Sequence, residues 1–194
     1  MPLSAYLPAI LPPVHLLAYS TLLGTELYQT FVMTKVAHQA LPRSAFTTLQ
    51  KRVFPIYFQS QSLLLLIVAV TLPPNGPISM IREKSTSISF GIAGVTAGLN
   101  LVLYGPRTKD LMIARVHQCK ELRKFWLLML AYKRSATRDA NLQLGEEIVS
   151  EEMKKLNRSF SRAHAMSIHL NLITIGATLW YGWRLASMLK FDVK

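Results

Sequence analysis

Residues 55–72 read PIYFQSQSLLLLIVAVTL, a run without a single charged side chain. A helix needs about 20 mostly apolar residues to cross the hydrocarbon layer of a bilayer, and this run is close to that length. Pro55 opens it at a first-turn position, where the missing N–H has no helical partner anyway. The breaker cluster LPPNGP at 72–77 closes it. The charge-free pattern recurs along the chain. No charge lies between Arg52 and Arg82, between Lys84 and Arg107, or between Arg162 and Arg184, and from Met1 to Thr34 the only charge is Glu26. The chain has 194 residues, 51% hydrophobic and 16% charged, where soluble domains carry about 25% charged residues. A buried core helix accounts for one such window more easily than for four. The sequence therefore predicts an all-α, multi-pass membrane protein with four transmembrane helices at about 11–34, 55–72, 86–104 and 164–188. They form a single membrane domain over 1–194, with a helical cytosolic arm between helices three and four.

The opening MPLSAYLPAILPPVHLLAYS lacks a basic start and a small-residue cleavage site and is interrupted by Pro12 and Pro13, so it reads as retained rather than as a signal peptide. Cys119 is the only cysteine, which excludes an internal disulfide and a cysteine-based structural metal site.

The basic residues orient the spans. Of 22 Lys and Arg, four lie in 35–54 and thirteen in 105–163. With four spans those two loops share a side, and basic loops are retained in the cytosol. Both termini and the PPNGP loop are then expected in the lumen or exterior. The short segment 43–54 is amphipathic, with Phe46, Leu49, Val53 and Tyr57 on one stripe and Arg43, Lys51 and Arg52 elsewhere. It suits the headgroup layer of an anionic cytosolic leaflet, with a connector packed on the bundle as the alternative. Arg107 and its neighbours flank the membrane end of the second basic loop.

Residues 107–163 read as a helical hairpin with a flexible break at 135–145. Its second half places Glu146, Glu147, Glu151 and Glu152 before Lys154, Lys155, Arg158 and Arg162, an order that complements the helix dipole. No breaker separates it from the last span, so one long rod is expected. No aromatic-basic platform accompanies the charge, and nucleic acid is not an expected partner. The bilayer and a membrane protein partner are.

Polar residues inside spans are costly and turn towards protein or water. Glu26, Gln29 and Thr30 share one face of the first span. Gln59 and Gln61 begin the second, Asn100 ends the third, and Asn157, His164, Asn171 and Thr178 recur every seven residues along the fourth. The helical rise puts Glu26 and Asn171 at a common depth, about 10 Å in from the cytosolic side. These residues predict either a polar pocket open to the cytosol or hydrogen-bonded glue between helices. Glu26 is expected to bond to the His164/Asn171 face. In the third span Gly94 and Gly98 form a small-xxx-small pair that lets a second helix approach.

Enzyme chemistry finds no constellation. His164 and His169 lie about 140° apart round a helix, one membrane carboxylate is too few for a bridged metal pair, and no phosphate loop or HExxH is present. No catalytic residue, metal or cofactor is expected.

HLLAYSTLLGTELYQTFV at 15–32, LPRSAFTTLQKRVFPIYF at 41–58, GPRT at 105–108 and NRSFSRAHAMSIHLNL at 157–172 together resemble the transmembrane protein 205 family. The most distinctive part maps to Leu41, Pro42, Arg43, Phe46, Gln50, Phe54, Pro55, Tyr57 and Phe58, and His164 and Asn171 also match. Glu26 departs, because the family pattern has an uncharged amide there. The resemblance implies a small four-span protein without a known reaction, with a role in tolerance of toxic compounds through membrane traffic. The leading functional expectation is a non-catalytic accessory or scaffold in a membrane complex or in trafficking, in the endoplasmic reticulum or a later secretory membrane. A small carrier or lipid-binding protein using the polar pocket is the alternative, and an intramembrane enzyme the third.

Overall fold

The computed structural model describes residues 7–74, 76–133 and 140–188, all of them helix or short connection. The first rod is α1 (Leu7–Leu27), continued by a π-helical segment, Tyr28–Met33, into α2 (Thr34–Ala40). It stops because Leu41 precedes Pro42. The proline ring forces its neighbour out of the helical region, and Leu41 is extended at φ −107°, ψ 142°. The chain restarts at once, Phe46 N–H bonding to Pro42 O.

α3 (Arg43–Val70) is one unbroken helix that runs through Pro55. The amphipathic segment 43–54 and the apolar segment after it are therefore parts of a single rod. Gln50, Tyr57, Phe58, Gln61, Leu65 and Val68 are buried along it, a spacing of three, four and seven that marks one face. At its end the Thr71 hydroxyl bonds back to Ile67 O. Gly76 makes the turn at φ 63°, where an added Cβ would meet Val70 O. A short α4 (Pro77–Arg82) follows, then α5 (Lys84–Leu99), a second π-helical segment (Asn100–Tyr104) and α6 (Gly105–Lys133) as another continuous rod. The last helix, α7 (Ala140–Met188), has 49 residues and is about 73 Å long at the helical rise. Of the expected break at 135–145, residues 135–139 lie outside the described residues, and 140–145 are helical, forming the start of α7.

α7 packs along α5 and then along α6, while α1 lies against α3 and α3 against α5. Leu22, Leu65, Val68, Phe90, Ala93 and Tyr181 form the centre of the core.

The four-span, four-helix expectation is corrected here. Among the described residues two helices are long and apolar enough to cross a membrane, Arg43–Val70 and Lys84–Phe125. The windows at 11–34 and 164–188 do not qualify, for a physical reason: freedom from charge is not apolarity. The first holds Pro12, Pro13, His15, Tyr19 and Glu26, and the last His164, His169, Asn171 and Arg184. The two qualifying helices are not core helices of a water-soluble globule. Only 28% of the apolar window in the first and 39% of that in the second is buried within the protein. Ile56, Leu63, Leu66, Val95 and Val102 point outward, a surface that needs an apolar environment. This is a membrane-embedded helical protein.

Candidate functional site

Between α1, α3 and α7 the polar side chains meet. Tyr57 and Gln61, one turn apart on α3, point inward beside Glu26 of α1 and Asn171 and Thr178 of α7. Gln61 Nε2 donates to Glu26 Oε1 at 2.9 Å, and Thr178 Oγ1 lies 2.6 Å from Glu26 Oε2. Tyr57 O–H donates to Asn171 Oδ1 at 2.7 Å, and Asn171 Nδ2 donates to Thr30 Oγ1 at 2.9 Å. Gln61 Nε2 also sits 3.3 Å from both Tyr57 Oη and Asn171 Oδ1. Glu26 and Gln61 are fully enclosed. Glu26 thus bonds directly to Gln61 and Thr178 rather than to the expected His164/Asn171 pair, and Asn171 reaches it only through Gln61.

A second set joins α5 to α7. Asn100 Nδ2 donates to Ser167 O at 3.0 Å, and the Thr96 and Thr174 hydroxyls meet at 2.7 Å. A third set lies at the opposite end from the basic loops, where His15 of α1 bonds to Tyr181 of α7 and Thr71 after α3. A cavity of about 10 Å³ separates the first set from the third, lined in part by Tyr19, Ser89, Thr178 and Tyr181.

The π-helical segments adjoin the sites. One begins two residues after Glu26, the other at Asn100 itself. Each widened turn rotates the following side chains relative to an α-helix, and such turns concentrate at functional sites. Gln29 Nε2, Gln61 Oε1 and Asn100 Oδ1 are buried and have no hydrogen-bond partner.

Other expected site residues fall elsewhere. Gln59 is exposed. His164 is half-buried and stacks on Phe160 with ring centroids 5.4 Å apart, while Arg115 lies over the other ring, 4.5 Å from the Phe160 centroid. Arg43, Lys51, Arg52 and Arg107 are exposed. Gly94 and Gly98 meet no neighbour within 4 Å of an added Cβ, so this pair brings no helix of the chain close. The glycines that do are Gly105, directly after the second π segment, where an added Cβ would meet Phe58 of α3, and Gly182 of α7, where it would meet Tyr19 of α1. Sequence reasoning placed Tyr57 on an interfacial stripe and missed its hydrogen bonding. Its position four residues before Gln61, hence one turn below it, was the available signal.

Chemically the cluster holds one carboxyl among neutral donors and acceptors. Among the described residues no group of three or more His, Cys, Asp or Glu is placed to hold a metal ion.

Comparison with known proteins places these residues in context. Residues 17–117 match the family described as a domain of unknown function, DUF4149. That match corrects the transmembrane protein 205 assignment drawn from the sequence. The LPR…FP segment that carried the resemblance lies wholly inside the matched region. The region holds Glu26, Tyr57, Gln61 and Asn100 but ends before α7. The chain is also 38% identical over 177 residues to xanthocillin biosynthesis cluster protein D of Aspergillus fumigatus, covering 91% of this chain and 90% of that protein. No solved structure matches. With half of its residues inside the family region and a relative matched over nearly its full length, the chain belongs to the DUF4149 family.

Proposed function

We propose that the protein is a non-catalytic membrane accessory that holds a partner against the bilayer through its paired arm of α6 and the first half of α7. The observation that carries this reading is the arm itself. α6 and α7 pack together beyond the apolar segment, where Gln118 Nε2 donates to Glu152 Oε2 at 3.3 Å. Lys120, Arg123, Lys155, Arg158 and Arg162 project outward along it. Lys154 donates to Glu151 and holds that carboxyl below the usual glutamate range, so the pair stays neutral in sum and the remaining cations dominate. Such a face attracts anionic headgroups and an acidic partner surface. The basic residues at the start of α3 and along α6 lie at one end of the two spanning helices, which by the retention of basic segments is the cytosolic end. The endoplasmic reticulum or a secretory membrane is the compartment proposed.

The Aspergillus relative is, by its name, a member of a biosynthesis cluster. By extension this chain accompanies enzymes that build a small molecule, as their membrane accessory. The carrier alternative has weaker support, since the cavity beside the polar cluster has room for about one water and not for a solute. Native mass spectrometry in gentle detergent tests the proposal. A protein partner should co-purify and be lost when Lys155, Arg158 and Arg162 are changed to Gln. A bound solute or cofactor in place of a partner would overturn it.

A further inference from the structure

We propose that Glu26 is a proton-binding site, a buried carboxylic acid that keeps its proton at neutral pH. Glu26 is fully buried. Its oxygens touch only the Gln61 amide and the Thr178 hydroxyl. The titratable groups facing it are Tyr19 on its own helix and Tyr57 on α3, while α7 offers Thr178 and, across the small cavity, Tyr181. None is a cation, and the ion pairs formed by the described residues all lie elsewhere. A buried carboxylate without a cation carries a large desolvation penalty, which such groups escape by taking up a proton.

The hydrogens can be placed consistently on this reading. Thr178 Oγ1 has one hydrogen and three close acceptors, Glu26 Oε2, Thr174 O and Ile175 O. A protonated Glu26 donates to Thr178 Oγ1, which passes its own hydrogen to Ile175 O, while Glu26 Oε1 still accepts from Gln61.

Infrared spectroscopy of the full chain in bilayers tests this. The carbonyl band of a neutral carboxylic acid should be present at pH 7 and lost in Glu26→Gln. Thr178→Val should move it to higher frequency, because the acid O–H loses its acceptor. Wild type should also lose stability as pH rises above the ordinary glutamate range. There the folded chain binds a proton the unfolded chain has released, and Glu26→Gln should lack that slope. A missing band at pH 7, or one that persists in Glu26→Gln, overturns the site.

Discussion

Asn171 shows how much one side chain can hold together. Its oxygen accepts from Tyr57 and lies within reach of Gln61, and its nitrogen donates to Thr30, so it ties α7 to α3 and to the π segment after α1. Asn171→Leu keeps the volume but strips partners from two buried groups, each costing about 1–3 kcal/mol when left unpaired. A clear fall in melting temperature is expected in a detergent thermal-shift assay. Asn171→Ser should recover part of it. Glycines separate by context in the same way. At Gly105 an added Cβ would sit 2.5 Å from Asn100 O and 3.1 Å from Phe58 Cδ2, so Gly105→Ala should destabilise by about 1–3 kcal/mol through overpacking. Gly94→Ala meets open space and should be neutral or slightly stabilising, since alanine favours the helix. Gln59 and Gln61 illustrate what periodicity alone can decide. Two residues on a helix are about 200° apart, so only one of them can face inward, and Gln61 is the one opposite Glu26.

At the scale of the element, the two π segments set the register of everything beyond them. Each inserts an extra residue into a turn. A single-residue deletion within Asn100–Tyr104 would restore α-helical register and turn Asn100 by about 100° relative to α6. Such a deletion should unfold the α5–α7 contact. Loss of the monodisperse peak in size-exclusion chromatography would report it, whereas a conservative Leu103→Met at the same segment, on an exposed side chain, should leave the peak intact. These segments were illegible in the sequence because no residue type encodes a π turn. It forms where a packed neighbour prefers the displaced side chain, and that preference belongs to the tertiary contact. The long rod of α7 was legible, since 146–188 contains no proline and its apolar and polar stripes keep one phase.

At the scale of the whole molecule, the outward apolar faces of α3 and α5 and the basic arm divide the surface into two environments. Cys119, the single cysteine, is exposed on α6, within that basic end. A membrane-impermeant thiol reagent added outside sealed microsomes, whose outer face is cytosolic, should label it. Labelling that appears only after the vesicles are opened would reverse the proposed orientation. Part of the candidate site could be read in advance: Glu26, Gln61, Asn100 and Asn171 have polar side chains in otherwise apolar helices, where burial against protein is the affordable outcome. His164 could not be placed that way. It shares the Asn171 face but lies about 10 Å further down the rod, where Phe160 and Arg115 take it up instead of Glu26.

Composition and pattern alone were sufficient to determine that the chain is helical, that it carries bilayer-length apolar segments, that its positive charge gathers at one end and that its hydrophilic side chains turn inward. These follow from the helical period and from the cost of exposing polar groups to hydrocarbon, both local properties. Which donor meets which acceptor, and that Glu26 ends among neutral partners, were decided only by the tertiary structure. Pairing depends on the depth and rotation of separate rods against one another, and residues more than a hundred positions apart carry no mark of that relation in the order of the chain.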